Sequence, residues 1–300
     1  AIQGICNSNI QVEVFYLTID SCYEVSISAA ISDYDLQAIN SLPGIGIPIC
    51  VVVDIDPGIV VSSTDPTIPA FYSGNLDNLS HVGIRNLGLV EAEGGDGATG
   101  GAVATFGNVG EDGGDALSLT TKTTIINSGH VFGGGGGGAS VGLGTTFSIP
   151  VIGTFTLGIG AGGGGGCADG SGGTSGAIPL PIWADGTDAS NGLIATPGDG
   201  GVLNVPISIP IGPVSITITP NVIGGDGGDY GIDGTSGLIA VSASASIPII
   251  GTISLPVPPI TVPLPSGGTA GYCINKNGNV LIGLPDGNFQ NLNEKGEIGN

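Results

Sequence analysis

The chain has 300 residues and a formal net charge of −21, with four Lys and Arg against 25 Asp and Glu. Such a polyanion repels nucleic acid and anionic membrane surfaces, which argues against both as partners. Glycine supplies 59 residues, yet 40% of the chain is hydrophobic and 10% is charged, which is not the composition of a disordered chain. No run of 18 apolar residues is free of Pro and Gly, so no membrane span is predicted.

Residues 1–90 predict a small β-rich base, because apolar and polar side chains alternate there as they do in half-buried strands. No helical period is evident. The strand candidates are residues 11–19, 23–31, 48–56, 58–64 and 81–94. The turn Asp56-Pro57-Gly58 predicts that residues 48–56 and 58–64 form a strand pair.

Residues 91–270 predict a glycine-rich body, in which glycines recur every third residue. That period matches the polyproline-II type helix, whose bare glycine edge lets a second backbone approach. The run 225–237 is interpreted as one rod of at most about 37 Å. Two all-glycine blocks, 133–138 and 162–166, recur among these repeats. The period-three scaffold glycines are Gly94, Gly97, Gly100, Gly107, Gly110, Gly113, Gly225, Gly228, Gly231, Gly234 and Gly237.

Three apolar inserts interrupt the glycine runs, and each reads Ser-Ile-Pro, then Ile-Gly, then a β-branched run. The pattern predicts β-hairpins that turn at the Ile-Gly step, with the proline-bearing strands at sheet edges or as free-standing arms. Their projection as loops is favoured over packing on each other, because glycine blocks flank each insert, and loops on a rigid scaffold are where binding usually lies. With the segment around Trp183, the inserts are residues 147–159, 178–191, 205–222 and 241–264.

Residues 271–300 predict a C-terminal β-hairpin and tail, with strands around 271–276 and 280–284. Asn277-Gly278 lies between them and is a strong hairpin turn. A chain that begins at Ala1 and contains no Met is expected to be a processed product or part of something longer.

No enzyme constellation is found. His81 and His130 are the only histidines, and neither lies in a GxSxG or HExxH motif. Five cysteines occur without a CxxC spacing, which argues against zinc, and up to two disulfides are expected. Residues 224–232 come close to a calcium β-roll repeat. Calcium at Asp226 and Asp229 is therefore considered, against the alternative that these carboxylates face water.

Several stretches together resemble the glycine-rich receptor-binding tips of bacteriophage tail fibres and central tail-tip proteins. The resemblance spans roughly residues 50–300. The stretches are VVVDIDPGIVVSSTDPTIPAF, IRNLGLVEAEGGDG, IINSGHVFGGGGGG, GAGGGGGCADGSGGTSG, GGDGGDYGIDGTSG, GTAGYCINKNGNVLI and NLNEKGEIGN.

This resemblance implies a mainly β protein with little or no α-helix, in which a base carries a sandwich of polyglycine-II helices and projecting loops. It implies a virion adhesin at a tail tip or fibre end, with a host receptor (protein or glycan) and other tail or fibre proteins as partners. Both a single chain and a homotrimer stay open. The predicted receptor contacts are Phe147, Ile149, Ile152, Phe155, Trp183, Ile209, Ile211, Ile249 and Ile250.

The alternative function is that of a secreted or surface-fibre cellular adhesin with calcium-stiffened glycine-rich repeats. A large loss of melting temperature in EDTA would favour it.

Overall fold

A computed structural model describes the residues in ten ranges. They are 22–100, 107–149, 153–175, 182–193, 196–211, 213–247, 251–255, 264–282, 294–295 and 297–299. The expected β-rich fold with almost no helix is confirmed, since α1 (Leu36–Ile39) is the one helix of these residues. Asp35 caps it by accepting the Ala38 N–H at 2.9 Å. Among the described residues, no helix has the length and apolar character needed to span a bilayer.

The strands before the hairpins are short, and most of them belong to the base. In chain order they are β1 (Tyr23–Ile27), β2 (Ile31–Ser32), β3 (Tyr34–Asp35), β4 (Cys50–Ile55), β5 (Val60–Ser62), β6 (Phe71–Tyr72), β7 (His81–Asn86), β8 (Leu89–Glu91), β9 (Leu117–Ser118), β10 (Lys122–Asn127) and β11 (His130–Phe132).

The remaining strands form the hairpins and then return to the base. They are β12 (Val141–Ile149), β13 (Gly153–Ala161), β14 (Ile182–Asp185), β15 (Val202–Leu203), β16 (Ile207–Ile211), β17 (Val214–Ile223), β18 (Leu238–Ile247), β19 (Gly251–Leu255), β20 (Ile274–Asn275), β21 (Leu281–Ile282), β22 (Glu294–Lys295) and β23 (Ile298–Gly299).

The base is a three-sided solenoid of five rungs, built from three parallel sheets. Sheet 1 has the order β1-β4-β7-β10-β21, sheet 2 the order β2-β5-β8-β11-β22, and sheet 3 the order β3-β6-β9-β20-β23. Each turn of the chain therefore adds one strand to every sheet, as in solenoid proteins. The glycine-rich body leaves the solenoid after β8 and again after β11, and it rejoins the solenoid at β9 and β20.

Alternation of side chains explains the solenoid core. In sheet 1 the inward positions of successive rungs, such as Val53, Ile84 and Ile125, are buried, whereas alternate positions face solvent. Inward side chains of all three sheets form one cluster that also contains Phe71 and Leu117. A disulfide between Cys22 and Cys50 links the first two rungs.

Two strand-pairing predictions are wrong. Residues 48–56 and 58–64 do form strands, but β4 and β5 pair with the neighbouring rungs in different sheets, not with each other. The C-terminal hairpin is absent, because β20 pairs with β9 and β23 while β21 pairs with β10. In both places the turn leads around a corner of the solenoid. The division of the chain at residues 90 and 270 stays a prediction, and the strand candidate at 11–19 lies outside the described residues.

The three predicted hairpins are present. Strand pairing closes at Ile149↔Gly153, Ile211↔Val214 and Ile247↔Gly251. The second and third hairpins join through β17 and β18 into one antiparallel sheet, while β13 also pairs with β14. Pro210 lies in the edge strand β16. Pro220 lies in β17, between the residues that pair with β15 and the residues that pair with β16. Neither of these two strands pairs with Pro220, so its missing N–H is tolerated on that edge of β17.

Candidate functional site

Ten extended segments, called rods here, carry the hairpins. Within a rod, every third residue contacts the same neighbouring rod, which is the repeat of the polyproline-II type helix. The rods are residues 92–100, 107–116, 133–140, 162–167, 170–175, 186–192, 197–201, 224–229, 232–237 and 264–272.

Rod 133–140 lies at the centre of six others. Its N–H groups donate to three rods, for example Gly137 to Glu111 at 2.8 Å and Gly138 to Gly164 at 2.7 Å. Its carbonyl oxygens accept from three different rods, for example from Gly268 and Gly228. Donor and acceptor directions alternate around the rod, so its backbone hydrogen bonds are made without any side chain.

Rod 162–167 has the same environment. It donates to rods 92–100, 186–192 and 224–229, and it accepts from rods 133–140, 170–175 and 197–201. This environment explains the two all-glycine blocks. In a rod with neighbours on every side all three edges are covered, so every position of the blocks 133–138 and 162–166 requires glycine. Outer rods have open edges, and there they keep residues other than glycine.

The period-three glycines show this one-sided requirement. A Cβ on Gly94 or Gly97 would stand closer than 3.0 Å to backbone oxygens of rod 162–167, and one on Gly110 or Gly113 closer than that to oxygens of rod 133–140. Real Cβ atoms essentially never come so near. Gly107, Gly225, Gly228 and Gly234 also meet backbone oxygens, Gly237 meets Val141 and the Ile223 oxygen, and the Gly100 N–H donates to Thr174 at 2.7 Å.

The interpretation of residues 225–237 as one long rod is wrong. The chain reverses at Tyr230 and Gly231, where the Ile232 N–H donates to Asp229 at 2.9 Å. Gly231 has a φ of +64°, a conformation that the turn needs and that glycine adopts most readily. Rods 224–229 and 232–237 lie side by side, joined by the Thr235 N–H donating to Asp226 at 2.8 Å.

Acidic side chains cap N–H groups of the outer rods. The Asp112 and Asp115 carboxylates accept the N–H groups of Thr269 and Tyr272, each reaching across to rod 264–272. Asp226, a predicted calcium ligand, accepts the Gly200 N–H at 2.8 Å, and Asp229 accepts the Tyr230 N–H at 2.8 Å. Within the described ranges, no group of three or more His, Cys, Asp or Glu is arranged to hold a metal ion. Calcium at these positions stays an untested prediction.

The junction between the base and the rods contains two carboxyls with raised pKa values. The Tyr230 hydroxyl donates to buried Glu91 at 2.8 Å, and burial raises the pKa of both groups. Burial, with Asp96 as the strongest of four nearby carboxylates, raises the pKa of Glu93 to about 7. Negative charge at this junction therefore opposes folding.

The hairpins continue the rods without a break. Rod 133–140 joins β11 of the base directly to β12, and rod 162–167 begins where β13 ends. Rod 133–140 keeps the same neighbouring rods along its whole length, so the first hairpin stands at the end of this rod opposite the base. Nine steps of about 3.1 Å, from Phe132 at the end of β11 to Val141 at the start of β12, separate the two by about 28 Å.

The sequence favoured hairpins that project separately, whereas in the structure the hairpins pack on one another. Val141 and Ile159 of the first hairpin share a buried cluster with Ile216, Ile218 and Ala245 of the second and third. β-Branched side chains on facing strands exclude water better together than alone. The hairpins therefore pack together at the ends of the rods.

The predicted receptor contacts are spread over these hairpins. Ile209 in β16 is half-buried against the shared cluster. Phe147 and Ile149 lie in β12, Phe155 in β13 and Ile211 in β16, while Trp183 lies in β14 opposite Gly158. Ile152, Ile249 and Ile250 lie outside the described residues, and the role of all nine in receptor binding stays a prediction.

The glycines of 133–138 and 162–166 were not among the predicted scaffold residues, although they form the two most enclosed rods. The available signal was the block itself, since a run of glycines between strong strands is consistent with a rod that has neighbours on every side.

A comparison with protein families matches residues 22–291 to the phage tail fibre adhesin Gp38 family. The chain belongs to the Gp38 family of phage tail fibre adhesins. It is accordingly a virion protein of the tail fibre tip that binds the host receptor, and the cellular-adhesin alternative is set aside.

A search of curated proteins found no match to this adhesin. Among solved structures, the chain is similar to the gp37-gp38 adhesin tip complex of the bacteriophage S16 long tail fibre. The two are 18% identical with a TM-score of 0.47, over 92% of this chain and 82% of the other.

Proposed function

We propose that the packed hairpins contact the receptor on the host surface and that the rods hold them away from the fibre. The connection of β11 through rod 133–140 to β12 supports this proposal, since it puts base and hairpins at opposite ends of one rod. A backbone-bonded body changes little in shape, so loops at its far end are presented in a fixed arrangement.

We further propose that the base joins the adhesin to another tail-fibre protein, and that the adhesin acts by binding alone, without catalysis or a cofactor. The S16 structure contains gp38 in complex with gp37, which supports the first point. Incubation with purified host surface polysaccharide should release no new reducing ends, and measurable turnover would contradict the second point.

Charge substitution near one hairpin turn tests the receptor role. Ser246 and Thr252 face each other across β18 and β19 and are exposed. Particles carrying Ser246→Lys with Thr252→Lys should adsorb at least about tenfold more slowly, because charges placed in a binding patch weaken complexes strongly. Ser171→Lys, at an exposed serine on rod 170–175, is the matched control. Unchanged adsorption at normal adhesin content per particle would contradict the proposal.

A further inference from the structure

The outward face of sheet 1 presents apolar side chains to solvent across several rungs. Val52, Ile126 and Ile282 are 38%, 58% and 40% exposed. Parallel pairing sets Val52 beside Gly83, Gly83 beside Thr124, and Thr124 beside Ile282. These residues form one continuous row over four strands, which we call the sheet 1 face together with its neighbours Asp54, Arg85 and Ile126.

Gly83 has no internal reason to be glycine. A Cβ there would lie 3.9 Å from the Val51 oxygen and 4.0 Å from Val52 Cγ2, both ordinary contacts, and its φ is not positive. Glycine in the middle of a strand weakens a sheet and often marks a place where another molecule comes close. The rod glycines, by contrast, are required by backbone atoms of this same chain.

The missing side chain leaves an open depression above Gly83. Its volume is 250 Å³, and its lining includes Val52, Thr124 and Ile126. Arg85 and Asp54 border it and form an ion pair at 2.8 Å. An apolar side chain from outside would enter between aliphatic groups, beside a charge pair that is already neutralised.

Charge also distinguishes this face from the rest of the molecule. Residues 92–116 and 133–273 contain twelve Asp and Glu and no Lys or Arg. The strands of sheet 1 carry Glu24 and Asp54 against Arg85 and Lys122, so their net charge is zero. A partner that must approach an acidic protein closely meets no repulsion here, and interface cores are depleted in charged residues.

We propose that the sheet 1 face is the surface on which another tail-fibre protein docks, through an uncharged patch with one apolar side chain inserted above Gly83. This rests on the proposed attachment of the base to the fibre. The inference adds the surface, the position of the inserted side chain and the chemistry of the partner.

The test uses phage particles assembled with adhesin variants supplied in trans, with adhesin content per particle measured by quantitative mass spectrometry. Gly83→Phe fills the depression and Ile126→Glu adds a charge beside it. Val109→Glu is the matched control, since Val109 is 59% exposed on rod 107–116. Both test variants should lower adhesin content at least about tenfold, as central interface positions do. The control should leave it unchanged, and purified variants should melt as the wild type does.

Normal incorporation of Gly83→Phe and Ile126→Glu would overturn the proposal. So would a purified wild-type dimer that either variant converts to monomer, because the face would then bind a second copy. Faster hydrogen exchange of β7 in purified protein lacking residues 1–21 would assign the face to the chain's own N-terminal segment. The receptor role fails separately, if particles without adhesin adsorb as well as those with it.

Discussion

Substitution of one glycine in the central rod should unfold the protein at much lower denaturant concentration. A Cβ at Gly137 would stand 2.5 Å from the Asp96 carbonyl carbon and nearer still to its oxygen, against 3.4 Å or more in ordinary contact. Rods 133–140 and 92–100 would therefore have to separate by about 0.9 Å or more. The fold offers no flexible side chain that could move instead.

The cost follows from the hydrogen bonds that join these two rods. Gly95 donates to Gly135 at 2.8 Å and Ala98 donates to Gly138 at 3.0 Å. Lengthened by about 0.9 Å, neither is a hydrogen bond, and each of the two bonds lost in this buried place costs about 1–3 kcal/mol. Gly137→Ala should therefore lower the free energy of unfolding by about 2–6 kcal/mol, a large part of the 5–15 kcal/mol typical of a protein.

The assay is equilibrium denaturation followed by far-UV circular dichroism, with Gly83→Ala as the control. Gly83 has room for a Cβ, so its substitution should be neutral or stabilise by about 0.4–1 kcal/mol. Equal midpoints for Gly137→Ala, Gly83→Ala and wild type would refute the packed-backbone account.

Other predictions concern the turn, the junction and the acidic side chains. Gly231→Asn should cost less than about 1 kcal/mol, because Asn tolerates the positive φ, whereas Gly231→Val should cost about 1–2 kcal/mol; equal losses by urea denaturation would contradict a turn at this position. The pKa of Glu93 is raised from 4.5 to about 7, so its contribution to stability is fully present below pH 4.5 and lost as pH rises through 7. Glu93→Gln should therefore raise the urea midpoint at pH 8 and leave it unchanged at pH 4, and the opposite pattern would show that the carboxylate stabilises the junction. Asp112→Ala should destabilise by about 1 kcal/mol through loss of the bonds that it accepts from Thr269, with Ser171→Ala as an exposed control. EDTA should leave the melting temperature unchanged, and a fall would assign calcium to the acidic side chains.

Much of the rod architecture could be read from the sequence, because glycine spacing reports directly on which backbone edges are covered. Gly94 and Gly97 recur at three-residue spacing since one edge of their rod meets another rod. Gly231 lies three residues from Gly228 and from Gly234, so the spacing alone placed it among the glycines required by packing. Its φ of +64° and the bond from the Ile232 N–H to Asp229 identify the turn.

The solenoid could not be read in the same way. Equivalent positions of sheet 1 are Tyr23, Val51, Val82, Thr123 and Leu281, whose unequal spacing hides the repeat that usually reveals a solenoid. Parallel pairing joins residues far apart in the chain, and turns such as Asn277-Gly278 look the same locally whether they close a hairpin or round a corner. For the hairpins, alternation predicted the strands, but their shared core depends on how the rods place them.

The most direct test is amide hydrogen exchange of the two all-glycine blocks, 133–138 and 162–166. These residues belong to no helix or strand, so a flexible linker at this position would exchange within seconds. Backbone groups bonded to six surrounding rods should exchange only when the whole protein unfolds. Protection close to that of β7 is the result expected from rods at the centre of the body, and exchange at the rate of an unfolded peptide would contradict it.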